Sequence, residues 1–499
     1  MIRRAAVPLA LCLLAACMVG PSYRAEPVVA PATQVGAGRP SDSAKAFFDS
    51  LARARAADSA PAGGVASLPP RHLAADSIAD LAWLDILHDT VLTGLVRTAL
   101  RQNRDLAVAQ ARITEYRAQA GVARAPLFPS LSVNGSASKN KIAVGAFPPV
   151  SYDALRVTGD VAWELDFWGL TRRGLQAANA DAAAQEAAER ATVLSLVSDV
   201  ATGYLQLLEL DQEQAVSDRT LASRTATLDL ARQRYARGLI SELDVLQFEA
   251  QVAVPAARLA QVEESRAQTE HALNVLLGEG PMAVPRGGSL AGAARAVVVP
   301  DSLSSSLLAR RPDVRVAEKA YAAATARIGV ADAARFPAFT IRGSYGSQAT
   351  QLNNLFIPET QIYQLQAGVS IPLFEGGALE GESRAARARA EQARGRYEQT
   401  VLAALRDAGD ALASVRAARD QVLANETQTV ALRRAFELAQ LRYRTGVSGY
   451  LEVLEAQRGL FVAEIVLSQA QLGELSAAVR LYKALGGSWT GESAATPAK

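Results

Sequence analysis

The sequence predicts a mainly α-helical protein with a small amphipathic β portion, built as a tandem duplication of a helix-strand-strand-helix-helix unit. Three observations carry this expectation. Ala, Leu, Gln, Arg and Glu are abundant among the 499 residues while aromatics make up only 6%, which is the composition of long helices. Two stretches switch the hydrophobic period from three or four residues to two. The whole pattern then recurs at a constant offset of 208 positions, pairing Tyr235 with Tyr443, Gly238 with Gly446, Leu243 with Leu451 and Asp244 with Glu452. Self-similarity at a fixed spacing marks a repeated structural unit.

The chain opens on a targeting segment. Arg3 and Arg4 form a basic region, Ala5 to Leu14 an apolar one and Leu14-Ala15-Ala16 a small-residue cleavage site, so residues 1-16 read as a signal peptide. Cys17 follows at once, and Cys12 leaves with the signal, so no disulfide is expected. Residues 17-80 carry clusters such as Pro61-Ala62-Gly63-Gly64 and Pro69-Pro70 and read as an extended N-terminal tether, with a short helix starting near Phe47. The balance of 52 basic and 50 acidic residues gives no reason to expect a nucleic-acid partner. After the signal, no stretch reads as the roughly 18 apolar residues of a membrane-crossing helix.

The first repeat is expected over residues 81-280. Leu92, Leu95, Val96, Ala99 and Leu100 recur at helical steps until Pro126 and Pro129 end the pattern. Strands follow at about 129-138 and 155-167. In the second, Leu155, Val157, Val161, Trp163, Leu165 and Phe167 alternate with Arg156, Thr158, Asp160, Ala162, Glu164 and Asp166. Such a hairpin suits either a half-buried sheet on a soluble core or a pair of tilted membrane strands. Run lengths near ten residues, aromatic Trp163, Phe167 and Trp168 at one end, and the lack of a second sheet to cover the polar face favour the membrane.

From Thr171 a helical pattern without proline runs to Gly238, a rod of about 100 Å at 1.5 Å per residue, with Val193, Val197, Val200, Tyr204 and Leu207 on one stripe. A shorter helix from Ser241 ends at Leu277-Gly278, and Pro255 is expected to kink it. After a linker over 281-300, the second repeat occupies 301-487, with strands at about 337-346 and 362-374 and a rod ending at Thr445 in which Val401, Ala408, Val415 and Val422 fall at sevens. Residues 488-499 read as a flexible tail.

Two hairpins give four strands, and the smallest closed membrane barrels need about eight. Open strand edges in lipid leave backbone groups unpaired, so several copies are needed to complete a ring. Here the sequence is similar to the TolC-like outer-membrane efflux proteins, in particular the NodT-type lipoproteins that serve resistance-nodulation-division pumps. The likeness rests on Leu14-Ala15-Ala16-Cys17, Trp83-Leu84-Asp85, Asn103-Arg104-Asp105-Leu106, Phe128-Pro129-Ser130-Leu131, Trp163 to Gly169, Arg311-Pro312-Asp313-Val314, Ile371 to Gly377 and Tyr443 to Gln457.

The resemblance implies a homotrimer with a 12-stranded β-barrel in the outer membrane, continued by a periplasmic α-helical barrel and gated at its helix tips. It implies an exit duct of a tripartite efflux system, with a periplasmic adaptor and an inner-membrane pump as partners; a type I secretion exit duct is the alternative. It also implies a lipid anchor on Cys17, with no other cofactor and no metal. Gly238, Leu239, Ser241, Gly446 and Val447 fall on the adaptor-docking turns. Leu451 and Glu455 fall on the gate, with Glu452 at another acidic position and Asp244 at the partner position for Tyr443. Three copies of a carboxylate around an axis would raise one another's pKa and favour cations; the plainer alternative is a solvated acid near a helix N-terminus. Ser448 departs from relatives that carry a latching arginine there.

An enzyme is not expected. Ser136-Ala137-Ser138-Lys139 fits a Ser-x-x-Lys pattern but has no companion motif, and His72, His88 and His271 are scattered without metal-ligand spacing.

Overall fold

A computed structural model describes residues 18–24, 46, 47, 49, 50, 89–143, 145, 149–294, 310–445 and 447–487. Cys17, Trp83-Leu84-Asp85, Gly446, most of the tether, part of the linker and the tail lie outside the described residues. Residues 46, 47, 49 and 50 are helical, at the place where a short helix is expected.

Helix α1 (Thr90–Gln102) starts where the Asp89 carboxylate accepts from the amides of Val91 at 2.9 Å and Leu92 at 3.1 Å, satisfying donors that a helix start leaves open. Then come α2 (Arg104–Arg124), β1 (Ser130–Ile142), β2 (Val150–Leu165), α3 (Leu170–Ala236), α4 (Glu242–Leu277) and the short α5 (Leu290–Ala294). The second set is α6 (Pro312–Ala333), β3 (Ala338–Ala349), β4 (Gln361–Ser370), α7 (Ala378–Arg444) and α8 (Tyr450–Ala484). The duplication is exact in the rods: α3 and α7 each hold 67 residues, and both of their ends differ by the sequence offset.

Strand limits differ from the sequence expectation for identifiable reasons. β2 begins five residues early, at Val150, because β1 pairs with it without a break from Ser130–Ala162 to Ile142–Val150. β4 stops at Ser370 rather than 374, since Pro372 has no N–H to give a ladder. Helix α4 continues through a buried Pro255. In addition, α3 contains one window long and apolar enough to cross a membrane by length and composition, contrary to the sequence reading, but 56% of it is buried; it is a core helix.

The chain forms two compact units, each drawn from both repeats. One, comprising the described residues within 18–24, 109–188 and 315–400, contains the sheet, ordered β1-β2-β3-β4 and antiparallel throughout. Leu131 stands opposite Val161, Val161 opposite Gly343 and Gly343 opposite Leu365, so the apolar residues of all four strands share one face. The other face carries Ser132, Asp160, Ser344 and Gln364. Helices in this unit pack through small residues, Ala324, Ala331, Ala386 and Ala390 around Ile328. The Arg173 side chain, 3% exposed, donates to the carbonyls of Val19 at 3.1 Å and Gly20 at 2.7 Å, which seats the segment following Cys17.

The other unit holds the described residues within 46–108, 189–314 and 401–487. Its core joins Leu92 and Val96 of α1 to Val200, Tyr204, Leu205 and Leu207 of α3, Leu273 of α4 and Leu475 of α8. Each such fully buried leucine contributes about 2 kcal/mol. The stripes read at heptad spacing are buried in both rods, Val193 to Leu207 in α3 and Val401 to Val422 in α7. The Tyr204 hydroxyl donates to Asp89 at 2.8 Å and accepts from the Gly287 amide at 2.9 Å; burial pushes its pKa up to about 12. The repeat-related residues Asn103 and Arg311 close the two halves alike: Asn103 Nδ2 donates to the Leu276 carbonyl at 3.0 Å and Arg311 Nη1 to the Ala484 carbonyl at 3.0 Å.

Two consequences are measurable. Gly278 ends α4 with φ of 74°, and a side chain there would collide with the Gln102 carbonyl. Gly278→Ala should cost at least about 1–3 kcal/mol and lower the thermal midpoint, whereas Gly280→Ala, which meets open space, should leave it unchanged.

Farther along α3, Glu209, Glu213 and Ser217 form a buried polar seam four residues apart. Arg258 of α4 pairs with Glu213, while Glu209 Oε1 has no hydrogen-bond partner among the described residues. Burial, and then the Glu213 charge, push the Glu209 pKa up to about 7, against the lowering effects of Ser468 and Arg258. The folded chain therefore holds an extra proton relative to the unfolded chain between pH 4.5 and about 7. Stability from this group is fullest below pH 4.5, falls as pH rises through 7, and then levels off. The change amounts to about 3 kcal/mol at 1.36 kcal/mol per pKa unit. Urea midpoints compared at pH 5 and pH 8 should show this slope, and Glu209→Gln should flatten it.

Candidate functional site at the helix turns

The α3–α4 and α7–α8 turns occupy repeat-related positions and both lie in the second unit described above. At the first, the amides of Gly238 and Leu239 donate to the carbonyls of Tyr235 at 2.8 Å and Arg234 at 3.0 Å. Gly238 takes φ of 70°, a left-handed conformation that costs a residue with a side chain. Ser241 then caps α4: its amide donates to Asp244 Oδ2 at 3.0 Å while its Oγ accepts from the Asp244 amide at 3.3 Å, a reciprocal capping box. At the second turn the Val447 amide donates to the Arg442 carbonyl at 2.9 Å. Gly449 stands where the first turn has Ser241, so α8 has no side-chain cap.

This single difference redistributes the charges. Glu452, at the repeat position of Asp244, has no cap to serve and pairs with Arg442 at 3.4 Å. Asp244 is held in its capping box, and the hydrogen bond recorded for the Tyr443 hydroxyl comes from Arg234, whose guanidinium also lies 5.1 Å from the centre of the Tyr443 ring. Tyr443 meets Tyr450 edge-on at 5.6 Å, and Tyr450 packs on Phe248 at 3.9 Å. Burial raises the Tyr450 pKa despite the opposing Arg224 charge. Thus a cation and three aromatic rings tie the two helix hairpins together beside their turns.

Outside this knot, Leu239, Leu243, Leu246, Val447 and Leu451 are exposed, each by more than half, and Glu455 is exposed one turn beyond Leu451 on the same face of α8. The apolar turn residues and the Leu451–Glu455 face are therefore open to partners. Ser448 Oγ is buried with no hydrogen-bond partner among the described residues. Sequence reasoning selected Tyr443 but missed Arg234, Phe248 and Tyr450. The available signal was asymmetry: Phe248 and Tyr450 match Ala456 and Glu242 in the other repeat, so these aromatics belong to the contact between repeats and not to the duplicated unit. Among the described residues there is no cluster of three or more His, Cys, Asp or Glu suited to a metal.

A model of the outer membrane efflux protein family matches residues 95–279 and 303–487, one match per repeat, and the chain belongs to that family. It is 32% identical over 424 residues to the toluene efflux pump outer membrane protein TtgC of Pseudomonas putida, covering 84% of this chain and 88% of that one. It is 29% identical to the probable outer membrane lipoprotein SilC of Salmonella typhimurium, over 83% of this chain and 90% of that one. The open state of the Neisseria gonorrhoeae MtrE outer membrane channel superposes with a TM-score of 0.78 at 28% identity, covering 95% of this chain and 98% of that one. The fold class is as expected, a mainly α protein with membrane β-barrel strands in a duplicated unit, and its location is the outer membrane.

Tyr443→Phe keeps the ring contacts but removes the acceptor for Arg234. The loss is about 1 kcal/mol, the net worth of one such bond, so amide hydrogen exchange at both turns should quicken roughly fivefold with the remainder of the chain unaffected.

Proposed function

We propose that the protein is the passive exit duct of a tripartite efflux system, a channel and not an enzyme, with three copies completing a 12-stranded barrel that a helical barrel continues into the periplasm. The open four-stranded sheet carries this reading: β1 and β4 are its outer strands, and its apolar face needs lipid. Pairing β1 of one copy with β4 of the next closes the ring without leaving an edge. Residues 1-16 are the signal, residues 17-80 the tether, and Cys17 carries the lipid, two residues in sequence before Val19, whose carbonyl Arg173 holds.

The exposed turn residues Gly238, Leu239, Ser241 and Val447, together with Gly446, receive the periplasmic adaptor, which links the duct to an inner-membrane pump of the resistance-nodulation-division type. Leu451 and Glu455 close the pore where three copies of α8 converge, and Glu452, Asp244 and Tyr443 stabilise the closed arrangement through the pairs described above. The exposure of Leu451 and Glu455 on one chain supports this, because a group that meets its own copies across an axis is left bare in the protomer.

In planar bilayers, Glu455→Ala should lower cation selectivity and raise conductance; unchanged values would remove Glu455 from the gate. Release of the protein from membranes by carbonate without detergent would overturn the channel reading as a whole.

A further inference from the structure

The sheet surface ends in a charged rim at a defined height. All four strands join helices at one end, where Ser130, Leu165, Ala338 and Ser370 lie, and the hairpin connections occupy the opposite end. Trp163 marks the helix end of the apolar face. A lipid-facing band is about 25 Å tall, which at about 3.4 Å per residue and a tilt near 40° takes about ten residues. Ten residues up β2 from Trp163 stands Asp153, directly opposite Lys139.

Between these levels the outward row is uncharged on both strands: Val161, Gly159, Val157 and Leu155 on β2, and Leu131, Val133, Gly135 and Ala137 on β1. Lys139 and Lys141 then follow on the same row, both exposed. Among the described residues neither lysine forms an ion pair. Lys139 lines a cavity of about 530 Å³ together with Ala137, Asp153, Leu155, Gln351 and Leu352, and Lys141 is the next residue along its row. The segment after β3 adds exposed apolar side chains at this end, Leu352 at 73% and Phe356 at 76%.

We infer that this groove binds a phosphorylated glycolipid of the outer leaflet, with Lys139 and Lys141 on its headgroup phosphate and Ala137, Leu155 and Leu352 against its apolar root. The inference rests on the outer-membrane barrel reading above, which puts the hairpin end of the strands in the outer leaflet. Two ammonium groups at the end of an apolar row suit a phosphate at the lipid–water boundary, since a lysine stem lies along apolar surface while its head reaches the charge. Asp153 offsets one of the two charges and leaves the row net positive. Ala137, Leu155 and Leu352, which share the lining with Ser138, Thr350 and Gln351, give the root of a lipid a contact that free phosphate would not use.

The test uses the full-length protein purified in detergent. Bis-phosphorylated lipid A should raise the thermal midpoint in a saturable manner, and Lys139→Gln combined with Lys141→Gln should weaken that binding at least tenfold; both lysines are exposed, so folding is spared. Equal binding of dephosphorylated lipid A, equal binding of phosphatidylglycerol, or unchanged binding by the double variant would each overturn the glycolipid site. Bilayer conductance separates the two readings: a conducting wild type with any of those results loses only this site, and a wild type that does not conduct loses the site and the barrel together.

Discussion

The constraint on which the rest depends is the backbone hydrogen bond at the two edges of the sheet. β1 offers an edge of 13 residues and β4 one of 10, and in hydrocarbon each unpaired peptide group costs several kcal/mol. No side chain can repair that deficit along a whole strand, whereas a second copy of the chain can, and a ring of copies leaves no edge at all. Once the strands demand copies, every feature of one protomer recurs around an axis. A single exposed carboxylate such as Glu455 then occurs once in every copy, and so does each exposed apolar turn, which is the repetition that the proposed gate and docking turns rely on. The chemistry of the turns thus follows from hydrogen bonds in a different part of the chain.

Duplication supplies the frame, and its breakage supplies the specific contacts. Asn103 and Arg311 perform the same closure with different side chains, but the arginine also binds Asp313 at 2.7 Å and Asp407 at 3.2 Å. At the turns, replacement of a capping serine by Gly449 releases Glu452 to its own Arg442, while Asp244 stays in its box and leaves Arg234 to reach Tyr443 in the other repeat. A perfect repeat would give each arginine a partner in its own hairpin. The imperfect one joins the hairpins through Arg234 and Tyr443.

The architecture was legible in the sequence because its signals are periodic and long: the stripe from Val193 to Leu207, the alternation from Leu155 to Phe167, and the offset that relates every motif. Element ends were less legible, because they depend on partners. β2 extends to Val150 because Ile142 is opposite it, which no single strand records. The turn residues Gly238, Leu239 and Val447 could be read from their glycines and exposed apolar character. Arg234, Phe248, Tyr450 and Glu209 could not, since their meaning lies in side chains that are distant in sequence and adjacent only after packing.

The second unit also has a gradient in what holds its helices together. Around Tyr204 the contacts are fully buried hydrocarbon, with Leu205, Leu207 and Leu273 at 1% exposure or less. From Glu209 to Arg224 the buried hydrocarbon of Leu210 and Val216 is interleaved with buried Glu209, Glu213, Ser217 and Arg224, and Ser217 Oγ and Glu209 Oε1 have no hydrogen-bond partner among the described residues. Near the turns the packing is a small cluster of Leu228, Ala231, Val245 and Phe248. Separating helices across unsatisfied polar groups costs little, because water supplies the bonds that packing withholds, whereas separating them across the leucine core forfeits about 2 kcal/mol per side chain. Local opening follows the least stable segment. The packing is therefore firmest around Tyr204 and weaker toward the turns, the gradient that the proposed gate would draw on.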